Sequence, residues 1–204
     1  MRSTISVLLI FAGALTGLAA DYVVKTVKVQ PIDTYPARVT VGDVTVAADP
    51  YAADEKSFTA FDYKNLNTRG YHPVHLIIQN STRDYVTIRT RNIVLVNAAG
   101  TELYATSAAV LVSDLFKGNL SYKRGSPFSD FSAKELSGGR VDPNGVIDGF
   151  VFFYIPQTKG VALAGSRIVI PEILNDSTRK PIGPFEIPLD PGIPPVEERK
   201  SKSK

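Results

Sequence analysis

Residues 73–80, Pro-Val-His-Leu-Ile-Ile-Gln-Asn, decide the fold class of this 204-residue chain, because their apolar side chains recur over a length typical of a β-strand. Successive strand residues point to opposite faces of a sheet. One predicted face carries Val74, Leu76 and Ile78, and the other carries His75, Ile77 and Gln79. The polar residues 80–84 then form a turn that ends the strand.

Further strand patterns lie on both sides of this segment. They cover residues 27–29, 39–46, 86–88, 93–96, 149–155, 167–173 and 185–189. Within 39–46 the alternation changes phase at Gly42-Asp43, which favours a two-residue hairpin turn with Gly first, or a β-bulge. The strands at 74–79, 86–88 and 93–96 follow one another, which indicates an antiparallel meander or a Greek key. Residues 149–155 are almost entirely apolar, and this predicts a central strand buried on both faces.

Two helix starts interrupt the strands. Asp49-Pro50 offers an N-cap and a first-turn proline for a short helix over 52–56, and Ser107 offers an N-cap for a helix over 108–116. Residues 119–144 show no clear period, so we expect a mobile or functional loop there, with room for a short strand or helix.

About eight short strands with one or two short helices predict a mainly β fold, an antiparallel immunoglobulin-like β-sandwich. A closed barrel is the second choice. The sandwich domain is expected to span residues 21–190. Three prolines in 191–195 stop regular structure, and the Pro-rich and charged tail 191–204 is expected to be disordered.

The N-terminus has the three parts of a secretory signal peptide, 1–20, with cleavage expected after Ala19 or Ala20. An uncleaved anchor helix is the alternative, but Gly13, Thr16 and Gly17 dilute the apolar run. The chain has no Cys, which excludes disulfides and a lipid anchor on a cysteine at the cleavage site. We therefore expect a periplasmic or extracellular protein with no transmembrane span after cleavage.

The folded body is expected to be electrically neutral. The formal charge is +3; loss of Arg2 with the leader leaves +2, and residues 197–204 hold four basic and two acidic side chains, which is another +2. Nucleic-acid binding requires clustered Lys and Arg on one face, so a nucleic-acid partner is not expected.

Three stretches resemble uncharacterised secreted bacterial proteins with a single immunoglobulin-like β-sandwich domain. They are Ala48-Asp49-Pro50-Tyr51, Phe61-Asp62-Tyr63 and Gly70-Tyr71-His72-Pro73 running through Asn80, with a weaker likeness at Gly149–Phe153. The resemblance implies the fold and the compartment, and it supplies no catalytic residues.

Metal and cofactor chemistry finds little support. His72 and His75 are the only histidines, and residues three apart on a strand point to opposite faces, so we expect both at a sheet edge or half-buried, with no metal site. Asp142-Pro143-Asn144-Gly145 with Asp148 invites a calcium hypothesis but lacks the order of an EF-hand loop, and a plain turn is favoured. No phosphate-binding loop or activated nucleophile is visible, so neither cofactor-binding nor catalytic residues are predicted.

An alternative function uses paired carboxylates. A hydrolase acting on envelope carbohydrate would need two acids at about 5–10 Å in one concave pocket. The candidates are Asp54, Glu55, Asp62, Asp142 and Asp148.

Aromatic residues near predicted loops give the leading hypothesis, a non-enzymatic module that binds a protein or an envelope component through its loops. Such side chains anchor partners or stack on sugars. The candidates are Tyr51, Tyr63, Tyr71, Tyr104, Tyr122, Phe128 and Phe131. The preferred contact surface combines the middle-loop residues Tyr122, Lys123, Arg124, Phe128 and Phe131.

A third possibility is weak binding of anionic lipid by Arg199, Lys200, Lys202 and Lys204.

Overall fold

The computed structural model describes residues 22–118, 121, 123–156 and 163–190. The predicted leader, 1–20, and the predicted tail, 191–204, lie outside the described residues. The strands, in chain order, are β1 Arg38–Val41, β2 Val44–Pro50, β3 Tyr71–Asn80, β4 Val86–Ile88, β5 Val94–Val96, β6 Glu102–Thr106, β7 Gly139–Val141, β8 Val146–Tyr154, β9 Arg167–Ile170, β10 Ile173–Asn175, β11 Pro181–Ile182 and β12 Phe185–Pro188.

Two antiparallel sheets enclose one apolar core. The large sheet has the order β1-β2-β3-β8-β6-β5-β9-β12, and its end strands β1 and β12 contact each other, so the sheet is a nearly closed barrel. The small sheet has the order β11-β10-β4-β7. Both sheets contribute side chains to the core, for example Val74 and Ile187 from the large sheet and Ile88 and Ile173 from the small one. The mainly β, antiparallel prediction is confirmed, whereas this arrangement alone does not identify an immunoglobulin-like sandwich.

In the part of the chain that the structure describes, three α-helices cover the outer face of the large sheet, one more than the upper number predicted. They are α1 Asp54–Ala60, α2 Ala108–Leu115 and α3 Pro127–Lys134. The predicted N-cap of α2 is confirmed, because Ser107 Oγ accepts a hydrogen bond from the Val110 amide. The helix expected over 52–56 begins only at Asp54, since Asp49 and Pro50 still pair with His75 and Val74 as part of β2.

Three strand predictions need correction. Residues 27–29 form no strand, and Val27 packs on the helical layer instead. The run 167–173 divides at Pro171 into β9 and β10, which belong to different sheets. The meander is wrong, because β3, β4 and β5 are not neighbours in either sheet. The chain crosses between sheets after Asn80, whose buried Nδ2 donates to the carbonyls of Asp84 and Asp142 and so holds the crossing in place.

The hairpin between β1 and β2 follows the sequence prediction of a two-residue turn. Val41 pairs with Val44, and Gly42 has a φ of +56° at the first turn position. Glycine reaches this left-handed region without the clash that a Cβ would cause. The phase change in the sequence therefore marks a tight turn and not a bulge.

Strand β8 is central and buried on both faces, as predicted. Val151 and Phe153 point into the barrel core, whereas Phe150 and Phe152 point outward under the helices. Phe61, at the end of α1, contacts both outward rings, with centroids 4.9 and 5.6 Å away. Burying a Phe side chain contributes on the order of 1.5–3 kcal/mol. The strand thus joins the two apolar layers of the molecule.

Gly149 lets a loop enter the barrel beside β8. A Cβ on Gly149 would lie 2.6 Å from Leu136 Cα and 2.7 Å from Leu136 N. The Leu136 amide donates to the Phe150 carbonyl over 2.9 Å, and the Leu136 side chain is buried in the barrel core. The chain after α3 therefore fills the gap beside β8, and it can do so only against a residue without a side chain.

We predict that Gly149→Ala lowers the free energy of unfolding by about 3 kcal/mol, the upper end of the usual overpacking cost, because the clash involves backbone atoms. Urea denaturation measures this change. Gly100→Ala is the control: Gly100 has a φ of +81° with nothing within 4 Å of its Cβ, so only the left-handed backbone cost of about 1–2 kcal/mol applies. Rescue of Gly149→Ala by Leu136→Ala would contradict the backbone clash.

Candidate functional site

The predicted contact surface in the middle loop is only partly available. Tyr122 lies outside the described residues, and Lys123 and Arg124 are exposed. Phe128 and Phe131 are only 6% and 0% exposed, so neither ring can contact a partner in this structure. The premise of an exposed loop therefore fails for both rings, while the roles of Lys123 and Arg124 stay predictions.

Helix α3 explains why these two rings are buried. Ser126 Oγ accepts from the Ser129 amide over 3.2 Å, and Pro127 occupies the first turn, so the helix has both parts of a standard N-terminus. Phe131 stacks on Phe61 with centroids 4.3 Å apart. Ser126-Pro127 is a sequence signal for the start of this helix. The helix was not predicted because its eight residues show no clear helical repeat of apolar side chains.

A buried ion pair anchors the N-terminal segment over α3. Lys134 Nζ lies 2.7 Å from Asp130 Oδ1 and donates to the Ala60 carbonyl. Tyr22 Oη donates to Asp130 Oδ2 over 2.6 Å, and its burial and this carboxylate raise the pKa of the Tyr22 phenol. Every charge in this cluster has a partner, which indicates a structural role.

A second polar cluster surrounds Asp148. His75 is buried, stacks on Phe150 and has its Nε2 2.7 Å from Asp148 Oδ2. Asp148 lines two adjoining grooves of about 390 and 360 Å³; Arg140 lines the first, and Lys25 the second. Arg140 pairs with Asp176, and Lys25 pairs with Asp62. The charged side chains of these grooves are therefore already paired, and no acid or base among them is left without a partner.

The two histidines do not converge. Both are buried on β3, which is paired on both sides, so the prediction of a sheet edge or half-burial is wrong. Within the described ranges, no group of three or more His, Asp or Glu side chains could hold a metal ion. Residues 142–145 form a turn in which the Gly145 amide donates to the Asp142 carbonyl.

The five candidate acids occupy different places. Asp54 holds the loop after α1, Asp62 holds the N-terminal segment, and Asp148 binds His75. Asp148 lines two of the grooves formed by described residues, and none of the other four acids lines either of them. These two grooves therefore do not bring two of the five acids together.

A row of aromatic side chains crosses the outer face of the large sheet. Tyr71 on β3 is opposite Tyr154 on β8, and Ala105 on β6 is opposite Phe153. Tyr104 and Tyr154 are the next residues beyond the last paired position of β6 and β8, and strand alternation places them on the outer face. Tyr104 and Tyr154 are 66% and 47% exposed, and Tyr71 is 5% exposed. We call Tyr71, Tyr104 and Tyr154, with Arg69 and Asp114 at the rim, the tyrosine surface.

The ring of Tyr154 packs beside the start of β3. Its centroid lies 5.1 Å from that of Tyr71. It also lies close to Gly70, whose φ is +92° and where a Cβ would be 3.0 Å from Tyr154 Cε2. Tyr71 Oη donates to Asp114 Oδ2 over 3.1 Å, and burial, aided by this carboxylate, raises the pKa of Tyr71 to about 12. Tyr71 is therefore a neutral, fixed support for its exposed neighbour.

The loop that carries Arg69 and Gly70 is anchored to α1 by a partly buried network of hydrogen bonds. Asn67 Nδ2 donates to the Tyr51 carbonyl over 2.7 Å and lies 3.1 Å from His72 Nδ1. A carbonyl can only accept, so this atom is the amide nitrogen, and His72 Nδ1 must accept from it. The neutral imidazole therefore carries its proton on Nε2. Asp54 Oδ1 accepts a hydrogen bond from the backbone amide of Asn67 over 2.6 Å and completes the anchor.

The sequence reasoning named Tyr71 and Tyr104 as aromatics near loops, but it missed Tyr154 because that residue ends an apolar run. Strand alternation places it on the same face as Phe150 and Phe152. Its exposure depends on where the helical layer ends, and no local pattern reports that.

We predict that mild acid weakens the protein through His72. Desolvation lowers the pKa of His72 below 6.5, against a smaller opposing effect of Asp54. The unfolded chain therefore binds the proton first, so the stabilisation is complete above pH about 7 and is lost as the pH falls through the unfolded value of about 6.5 toward the folded one.

His72→Gln should reduce the slope of the unfolding free energy between pH 7 and pH 5, measured by denaturation in urea. His75→Gln, on the opposite face of β3, should leave the contribution of His72 in place. An unchanged slope in His72→Gln would contradict a buried, neutral His72.

Among the described residues, no helix has the length and the apolar character needed to cross a bilayer.

No protein-family model matches the chain, and no curated protein matches it. Three solved structures show weak similarity, each at 11% identity. The yjhA protein of Bacillus subtilis has a TM-score of 0.38 over 67% of this chain and 78% of that chain. The "putative lipoprotein (ycdA)" of Bacillus subtilis has a TM-score of 0.41 over 74% of this chain and 38% of that chain. A functionally unknown protein from Listeria monocytogenes has a TM-score of 0.35 over 74% of this chain and 79% of that chain. At these low values the likeness assigns neither a family nor a function.

Proposed function

We propose that this chain is an exported, non-enzymatic binding module that holds a component of the cell envelope on its tyrosine surface. The observation that carries this proposal is that Tyr104 and Tyr154, the residues just beyond the last paired position of the adjacent strands β6 and β8, are both exposed. Exposed aromatic side chains that lie together on one face are more informative than single ones, and tyrosine is among the residues that carry most binding energy at interfaces.

The packing around Tyr154 supports a binding role for this exposed ring. Tyr154 packs beside Tyr71 and Gly70, and the loop carrying Gly70 is tied to α1 through a hydrogen bond from the Asn67 backbone amide to Asp54. A side chain that is already ordered loses little conformational entropy when a ligand arrives. The surface is therefore built on strands and not on the loop 122–131, which moves the proposed contact away from the predicted residues.

The proposal also includes export of the protein and an immunoglobulin-like fold. The leader pattern in 1–20 and the absence of Cys support a periplasmic or extracellular protein. The apolar core shared by two antiparallel sheets supports the proposal of an immunoglobulin-like β-sandwich. A carboxylate-dependent hydrolase acting on envelope carbohydrate is the alternative proposal.

We predict that the purified protein co-sediments with isolated cell envelopes of its source organism through the tyrosine surface. The double variant Tyr104→Ala/Tyr154→Ala should lose at least tenfold in apparent affinity, because both contact rings are removed while no buried ring changes. Tyr85→Ala is the matched control: Tyr85 is 38% exposed, and Arg140 covers its ring at 3.7 Å.

Circular dichroism and urea denaturation should show that both variants remain folded. The intact mass of the purified protein reports removal of the leader. Co-sedimentation that is equally strong in wild type and double variant would refute the tyrosine surface as the binding site.

A further inference from the structure

We propose that the ligand of the tyrosine surface is a glycan chain, with the apolar face of a sugar ring on Tyr104 and Tyr154 and its hydroxyls on Asp114 and Arg69. This inference rests on the proposed function and names the ligand class of the same site.

The apolar part of the surface is too small for the centre of a protein interface. A whole Tyr side chain buries about 150–250 Å², and a stable protein interface buries about 800 Å² on each partner. The other exposed apolar residue beside the surface is Val110, one helical turn before Asp114. The neighbouring outward residues of β5, Val94 and Val96, are buried. Two partly exposed rings and one Val fit a small apolar face.

The rim of the surface is polar and charged. Asp114 accepts from Tyr71 Oη, and its Oδ2 also lies 3.9 Å from Arg69 Nη2. Both side chains of this ion pair are half exposed, so each keeps hydrogen-bonding capacity toward solvent. On β6, Glu102 and Thr106 flank Tyr104 on the same face. Carboxylate, guanidinium and hydroxyl groups are the donors and acceptors that vicinal sugar hydroxyls pair with.

A sugar ring fits both the small apolar face and the polar rim of the tyrosine surface. A pyranose ring presents a face of C–H groups whose slight positive charge is attracted by the negative face of an aromatic ring. Its hydroxyls project around the edge of that face. Two exposed tyrosines on the same face of the neighbouring strands β6 and β8 can cover one or two consecutive sugar rings of a chain.

Affinity electrophoresis in native gels tests the inference. The probes are glycan strands released from peptidoglycan by an amidase, hydroxyethyl cellulose, pullulan and dextran, each cast in the gel. At least one should retard the wild-type protein, and Tyr104→Ala/Tyr154→Ala should abolish that retardation. Tyr104→Phe/Tyr154→Phe keeps both rings and should retain most of it. Asp114→Asn, which still accepts from Tyr71, should weaken it about threefold, and Tyr85→Ala should have no effect.

The outcomes separate the ligand class from the proposed function. Tyrosine-dependent co-sedimentation with envelopes, but no retardation by any of the four glycans, would overturn the glycan inference and leave the binding function standing. Retardation that persists in the double alanine variant would overturn it too, because the sugar would then bind elsewhere. Loss of retardation in Tyr85→Ala as well would point to an unspecific aromatic effect and would also count against it.

Discussion

The burial of both faces of β8 is the constraint on which the rest of the structure depends. Phe150 and Phe152 need an apolar cover outside the sheet, while Val151 and Phe153 need one inside it. The helices supply the outer cover and the barrel supplies the inner one. Gly149 and Leu136 then close the gap beside the strand, because only a glycine allows the loop after α3 to come that close. Two apolar layers that share one strand thus stabilise each other without disulfides.

The same alternation that buries the phenylalanines presents the tyrosine surface. Tyr154 follows Phe150 and Phe152 on the outer face, but it lies at the end of β8 and is half exposed. Tyr71, across the sheet, remains buried and supports the exposed ring from one side. A ligand surface made this way needs no separate scaffold, since each of its rings belongs to a strand that is already fixed by the core.

Much of the local structure could be predicted from the sequence, and little of the site could. The alternation of 74–79 predicted β3, the run from Phe150 predicted a central strand, and the phase change at Gly42 predicted the hairpin. The pairing order of the strands depends on distant contacts, so consecutive strands were wrongly taken as neighbours. The burial of Phe128 and Phe131 follows from the packing of α3 on Phe61, and the exposure of Tyr154 follows from the extent of the helical layer. Neither the burial of Phe128 and Phe131 nor the exposure of Tyr154 can be predicted from the neighbouring residues in the sequence.

Native-state hydrogen exchange tests the central role of β8 most directly. The amides of Gly149, Val151 and Phe153, which face β3, should exchange only through global unfolding, with opening free energies equal to the unfolding free energy from urea denaturation. Helical amides of α1 and α3 should open at lower free energy, because they cover the sheet from outside. Exchange of the β8 amides through a smaller, partial opening, while the helices stay protected, would contradict the account.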